Sequence, residues 1–246
     1  MTDTPSDHVL EQGQSGAGRP SAHDKLVTAG VGIVGLAVIA FLTHYNLTGY
    51  SVWAAGTKAG WRSWDEYILV NVAGLILPPF LLLFGVLRTD PAEFGLRAPD
   101  RGAAKVALAF FALMLPVLVI VSRRPEFYFK YPLVPAAANQ WSALLAYELI
   151  YGFYFLCWEW FYRGFLTFGL SRSLGAAPAI ILQAVGFGIM HYGKPTPEFI
   201  SSFVGGAILG WMALRYRSFW PCFLLHWAIS GTLDVLAIHA RPGGLF

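Results

Sequence analysis

The chain has 246 residues, 56% of them hydrophobic and only 13% charged, against about 25% charged in a soluble domain. With 19 Phe, 9 Trp and 26 Gly, and its few charges gathered between long apolar runs, it reads as a polytopic membrane protein rather than a soluble one. The formal charge of +3 argues against a nucleic-acid partner, because the basic residues form short clusters beside the spans, where they act as topology signals and head-group contacts.

Residues 1–25 are rich in Ser, Gly, Asp and Pro without a sustained apolar period, and read as a disordered tail. No basic stretch abuts a short apolar core, so a cleaved signal peptide is not expected and the first span, about 26–43, stays as an anchor. The second span follows Ser63-Trp64-Asp65-Glu66, a capping-box pattern, and runs to about Phe84–Val86 with a kink expected at Pro78-Pro79. Residues 88–103 form a polar connection, and a third span covers about 104–122. The stretch 125–138, with its prolines and aromatics, suits an interfacial loop.

The fourth helix, about 140–168, carries Glu148, Glu159 and Arg163, and exceeds the roughly 20 residues a bilayer needs. The fifth, about 176–192, ends at His191. Thr196 as N-cap and Pro197 at N1 open the sixth, about 197–214, and the seventh covers about 219–238. The expected fold is an all-α, polytopic membrane helical bundle of about seven spans. It divides into the tail 1–25, the N-terminal membrane helices and polar connection 26–103, and a core 104–246.

Orientation is weakly encoded. Arg19, Lys25, Arg88, Arg97, Arg101, Lys105, Arg172, Arg215 and Arg217 fall on the side of the N-terminal tail. Lys58, Arg62, Arg123, Arg124, Lys130, Lys194 and Arg241 fall on the other, which favours a cytoplasmic N-terminus. Cys157 and Cys222 lie in apolar stretches and read as small buried side chains. There is no internal repeat, which argues against a secondary transporter. Ser202, Gly206 and Gly210 recur every four residues, a small-residue stripe expected to draw the fifth and seventh helices around the sixth.

Ionisable residues deep in apolar helices must pair, line a cavity or do chemistry. Glu159 and Arg163 stand at i and i+4 with the acid first, the favourable order for a helix pair, and their plainest role is mutual neutralisation. His226 is followed by Ser230 one turn on and Asp234 two turns on, so the three share a broad face. The partner expected for Asp234 is a histidine or Arg163. An acid on one helix with His191 and His226 on two others suits hydrolysis. The imidazoles orient a water or hold a divalent metal, with Asp234 as a further ligand, and the carboxylate takes the water's proton. The pattern is not His-Glu-x-x-His, so any metal site must be assembled across helices.

Three stretches carry a resemblance. Trp158-Glu159-Trp160-Phe161-Tyr162-Arg163 is similar to the Glu-Glu-x-x-x-Arg motif of the CAAX-protease and bacteriocin-processing family of intramembrane proteases. Phe187 to His191 resembles its Phe-x-x-x-His motif, and His226 to Ser230 its His-x-x-x-Asn/Asp motif. The resemblance covers about 140–238, with a weaker echo from Pro91-Ala92-Glu93-Phe94-Gly95-Leu96. It implies a helical bundle with a cavity open to the cytoplasm and cleavage of a peptide bond in a membrane protein or peptide, lipidated ones included. It also implies a multi-pass protein of the bacterial cytoplasmic (inner) membrane. Glu159 would activate water, with His191, His226, Arg163 and Ser230 around it and zinc or another divalent metal as the cofactor.

Two positions depart from the family pattern. Its first glutamate falls on Trp158, and Ser230 stands where Asn or Asp is usual. For Glu159 to serve as the base, the helix must be locally distorted, because one residue rotates a side chain by about 100°. The alternative is a cavity without hydrolysis, in a membrane scaffold or binding protein. A transporter is the weaker alternative.

Overall fold

The computed structural model describes residues 19–47, 61–99 and 101–242, and every regular element among them is helical. Helix α1 (Ala22–Leu47) opens on a reciprocal cap. The Asp24 amide donates to Ser21 Oγ at 3.0 Å, and the Ser21 amide donates to the Asp24 carboxylate at 3.2 Å. An aspartate thus fills the role that glutamate takes in a capping box. For that reason the helix begins at Ala22, inside the stretch expected to be tail. The remainder of that stretch, up to residue 18, lies outside the described residues.

Helix α2 (Trp61–Phe80) is already helical ahead of Ser63, so the expected cap position lies within the helix. Pro78 and Pro79 offer no amide to the preceding carbonyls, and the chain continues as a π-helical turn, Leu81–Val86. Asp90 then accepts from the Ala92 amide at 2.9 Å to cap a short 3-10 turn, Pro91–Phe94. Gly95 leaves that turn at φ +76°, a conformation in which glycine carries no side-chain penalty.

The remaining elements are α3 (Arg101–Val121), the short α4 (Pro125–Tyr128), a 3-10 turn at Pro135–Ala138, and α5 (Trp141–Glu159). Helix α5 runs on without a break as a π-helix, Trp160–Phe168, and then as α6 (Gly169–Leu174). Helices α7 (Ala176–Ile189), α8 (Thr196–Tyr216) and α9 (Trp220–Ala240) complete the bundle. Helix α7 stops at Ile189, and His191 lies in the turn beyond, its amide donating to Gly188 O at 2.9 Å. Thr196 is the first residue of α8, and Pro195 takes the cap position expected for Thr196.

Among the described residues five helices are long and apolar enough to cross a membrane, fewer than the seven spans expected. They are α1, the α2 segment Trp64–Val86, α3, α8 and α9. The other two segments fall short for different reasons. Helix α7 is apolar but has 14 residues. The α5 and π-helical stretch is long, but its tyrosines, tryptophans, glutamates and arginine lower its hydropathy, and its side chains are largely buried in the bundle.

An aromatic seam joins α2 to α5. Trp64 packs on Tyr147 and Tyr151 at ring-centroid distances of 5.2 and 5.3 Å, and Tyr67 packs on Tyr154 at 5.8 Å. The stripe on α8 brings α7 close, since a Cβ on Gly206 would lie 3.1 Å from Ala184 Cα. Helix α9 is not drawn to that stripe as expected, and packs chiefly against α3 and α5. Polar side chains gather at the two ends of the bundle. Arg172 holds Asp24 and Glu93 at one end. At the other, Lys194 pairs with Glu198 at 2.7 Å, Tyr131 donates to Glu198 at 2.6 Å, and Lys130 donates to Gly193 O at 2.8 Å.

Candidate active site

Glu159 is the last residue of α5 before the backbone widens into the π-helix. Such distortions are common at functional sites. The wider turn is marked by Thr167, whose hydroxyl donates to the carbonyl of Tyr162 five residues back at 2.7 Å. Glu159 and Arg163 are both fully buried and form an ion pair, Nε to Oε2, at 2.9 Å, so the sequence pairing at i and i+4 is met inside the bundle. The other oxygen, Oε1, lies 2.7 Å from Nδ1 of His226 on α9. Both carboxylate oxygens are therefore engaged. The guanidinium also sits over the Phe187 ring, 4.4 Å from its centroid, and donates to Gln183 of α7.

His191 is 5% exposed, with Nδ1 2.7 Å from the carbonyl of Phe187. Since a carbonyl and a carboxylate can only accept, each neutral imidazole carries its proton on Nδ1 and presents a bare Nε2. The two rings are nearly parallel, 22° apart, with centroids separated by 6.4 Å. Phe155 and Phe187 wall the pair, at 4.5 Å and 5.6 Å from the His226 ring. The His226 side chain keeps 16% exposure, whereas those of Glu159 and Arg163 keep none. A base is thus aligned by a buried acid, and its own side chain keeps some access.

The other expected members lie elsewhere. Ser230 is half-buried, one turn beyond His226 on α9, and makes no hydrogen bond among the described residues. Asp234 is fully buried, and its side chain hydrogen-bonds to that of Glu148. Its expected pairing with a histidine or Arg163 does not form; the strongest charge acting on it is a second acid, Glu148 of α5. The reason is axial: two turns carry Asp234 away from His226 toward the end of the bundle that holds Lys194 and Glu198. Glu148 sits there too, beside Gly231 and Trp227 rather than beside Glu159.

A catalytic zinc needs about three protein donors. Among the described residues no group of three or more His, Cys, Asp or Glu is placed to hold a metal. His191 and His226 offer two imidazole nitrogens, but Asp234 is not with them and the Glu159 carboxylate is held by Arg163 and His226. The expected ligand set His191, His226 and Asp234 is thus not assembled. Cys157 and Cys222 are free and buried, the latter donating to Leu209 O at 3.3 Å.

Two further side chains line the centre. Trp158, 4% exposed, lies against His191 and Phe187 at ring-centroid distances of 5.8 Å each. Gln183 is fully buried beneath Arg163. A signal for the glutamine was present, as it is the only strongly polar side chain in the apolar run Ala176–Ile189.

The fold and the buried charges define a multi-pass membrane protein with a polar centre enclosed by helices α5, α7 and α9. Residues 139–232 match the family model described as type II CAAX prenyl endopeptidase Rce1-like. The match covers 94 of the 246 residues, and it is consistent with the CAAX-protease and bacteriocin-processing family and with a protease kind of activity. Neither the curated proteins nor the solved structures compared with the chain give a match.

Proposed function

We propose that the protein is a CAAX-type intramembrane endopeptidase that hydrolyses a peptide bond in a membrane-associated protein or peptide, using His226 as the base and Glu159 to hold it. The observation that carries this reading is the 2.7 Å contact between Glu159 Oε1 and His226 Nδ1 beside a second imidazole. Glu159 is a poor candidate for taking the proton itself, because Arg163 and His226 occupy both its oxygens. In the proposed step, Nε2 of His226 accepts a proton from water as the water oxygen attacks the peptide carbonyl carbon. The same proton is returned to the leaving amine as the C–N bond breaks. Glu159 stabilises the imidazolium that forms in between. His191 orients the water through its own bare Nε2.

The test is cleavage of a prenylated C-terminal peptide, and of unlipidated membrane peptides, by purified protein in lipid bilayers. Activity lost in His226→Ala and reduced at least about 100-fold in Glu159→Gln supports the proposal. A second reading, a binding or scaffold protein without hydrolysis, rests on Trp158, whose indole stands where the family motif carries its first acid. Inactive wild-type protein that gains cleavage in Trp158→Glu establishes that reading instead.

A further inference from the structure

We infer that Gln183 is a positioning residue for His226, acting through Arg163 and Glu159, an inference that rests on the catalytic reading above. Nε2 of Gln183 donates to two backbone carbonyls, Gly206 O of α8 at 2.8 Å and Ile180 O of its own helix at 3.0 Å. Carbonyls can only accept, so the amide has one orientation, with Oε1 turned toward Arg163. Arg163 Nη1 donates to that oxygen. Its Nε faces Glu159 Oε2 at 2.9 Å, and Glu159 Oε1 faces His226 Nδ1 at 2.7 Å. The line runs unbroken from the backbone of α8 to the imidazole on α9. Gln183, Arg163 and Glu159 are each fully buried, so water does not take the place of a lost link.

The guanidinium is otherwise loosely constrained. Its Nη2 has no hydrogen-bond partner, and its Nε meets Glu159 as an ion pair without hydrogen-bond alignment. Gln183 provides its one aligned hydrogen bond. Without that acceptor the cation is free to rotate about its side-chain torsions over the Phe187 ring, and the carboxylate follows it. The second effect falls on the Nδ1–H to Glu159 contact that sets the tautomer of His226. The α8 stripe is part of the device, since a Cβ on Gly210 would collide with Gln183 Nε2.

The test is nitrogen-15 NMR of histidine-labelled protein in lipid discs, with the His226 signals assigned by their loss in His226→Ala. Wild-type protein should show one protonated Nδ1 and one bare Nε2 for His226. Gln183→Met, close in length but without acceptor or donors, should show exchange between tautomers, and kcat on a cleaved peptide should fall about 10- to 100-fold with KM little changed. Gln183→Asn, which keeps an amide but falls one methylene short of its partners, should do the same if the methionine variant does not fold. An unaltered His226 spectrum in either folded variant overturns the inference. The NMR reading does not require activity, so a wild-type protein that cleaves nothing but shows the tautomer shift refutes the endopeptidase proposal alone.

Discussion

Trp158 and His191 meet edge to face, at 79° and with ring centroids 5.8 Å apart, where the family motif carries a carboxylate. An indole there contributes packing area and no acceptor. Trp158 also touches Tyr154, Tyr162 and Phe187, so it joins the aromatic seam of α5 to the turn that bears His191. Trp158→Ala should destabilise the protein by about 3–5 kcal/mol, the range for removing a large buried aromatic. Trp158→Phe should cost much less. Thermal unfolding in one detergent checks both, and equal midpoints for the two variants would contradict the packing role.

The Glu159–Arg163 pair has no exposure on either side chain. Removing one partner strands the other charge, so Arg163→Met should cost about 3–5 kcal/mol. The double variant Arg163→Met, Glu159→Leu should lose less than the sum of the two single changes, because neither residual charge remains. Unfolding of all four proteins in mixed micelles gives the coupling energy. Additive losses would mean that the two charges are stabilised by other groups.

Asp234 and Glu148 are two acids joined by a side-chain hydrogen bond, so one of them carries the proton that the other accepts. Asparagine can donate in place of that proton, whereas alanine removes the bond. Asp234→Asn should therefore change stability by less than about 1 kcal/mol, and Asp234→Ala should lower it by about 1–3 kcal/mol. Thermal unfolding in one detergent checks both, and equal losses in the two variants would show that the hydrogen bond is not what holds Asp234.

Lys130, in the connection between α3 and α5, has its amine lowered to about 8 by burial first and by Lys194 second. The unfolded amine titrates near 10.4. Below pH 8 both states hold the proton and the folded state bears the full penalty. Between about 8 and 10.4 the unfolded state binds more protons, so stability rises with pH. Lys130→Met should be more stable than wild type at pH 7, and that advantage should shrink as the pH passes through this window. Equilibrium unfolding at pH 7, 8.5 and 10 measures the slope, and parallel curves for the two proteins would rule out this assignment.

The parts of the site that share one helix were legible in sequence. Glu159 and Arg163 sit a turn apart, and their pairing follows from helix geometry and the penalty on lone charges in an apolar run. His226 was marked by its position in an apolar helix, but only the packing of α9 on α5 shows that its Nδ1 meets Glu159. A helical wheel gives Asp234 a face and not the neighbour across it, which is Glu148, about three turns before Glu159 on α5. Gln183 is marked in sequence only by its polarity, because its partners come from two other segments, the carbonyl of Gly206 and the guanidinium of Arg163. The start of α1 departs from the expected tail for a local reason, since Ser21 and Asp24 make a cap with an acid one methylene shorter than glutamate.

Placing Glu159 and Arg163 on the same helix has a consequence for biogenesis. Each charge alone at the centre of a nascent helix costs about 2.5–3.5 kcal/mol to insert. Because the partners are four residues apart, they neutralise each other as soon as that one helix winds, before α7 or α9 has left the translocation channel. The chain can therefore deliver its most polar segment into lipid as a self-contained unit and recruit the histidines afterwards.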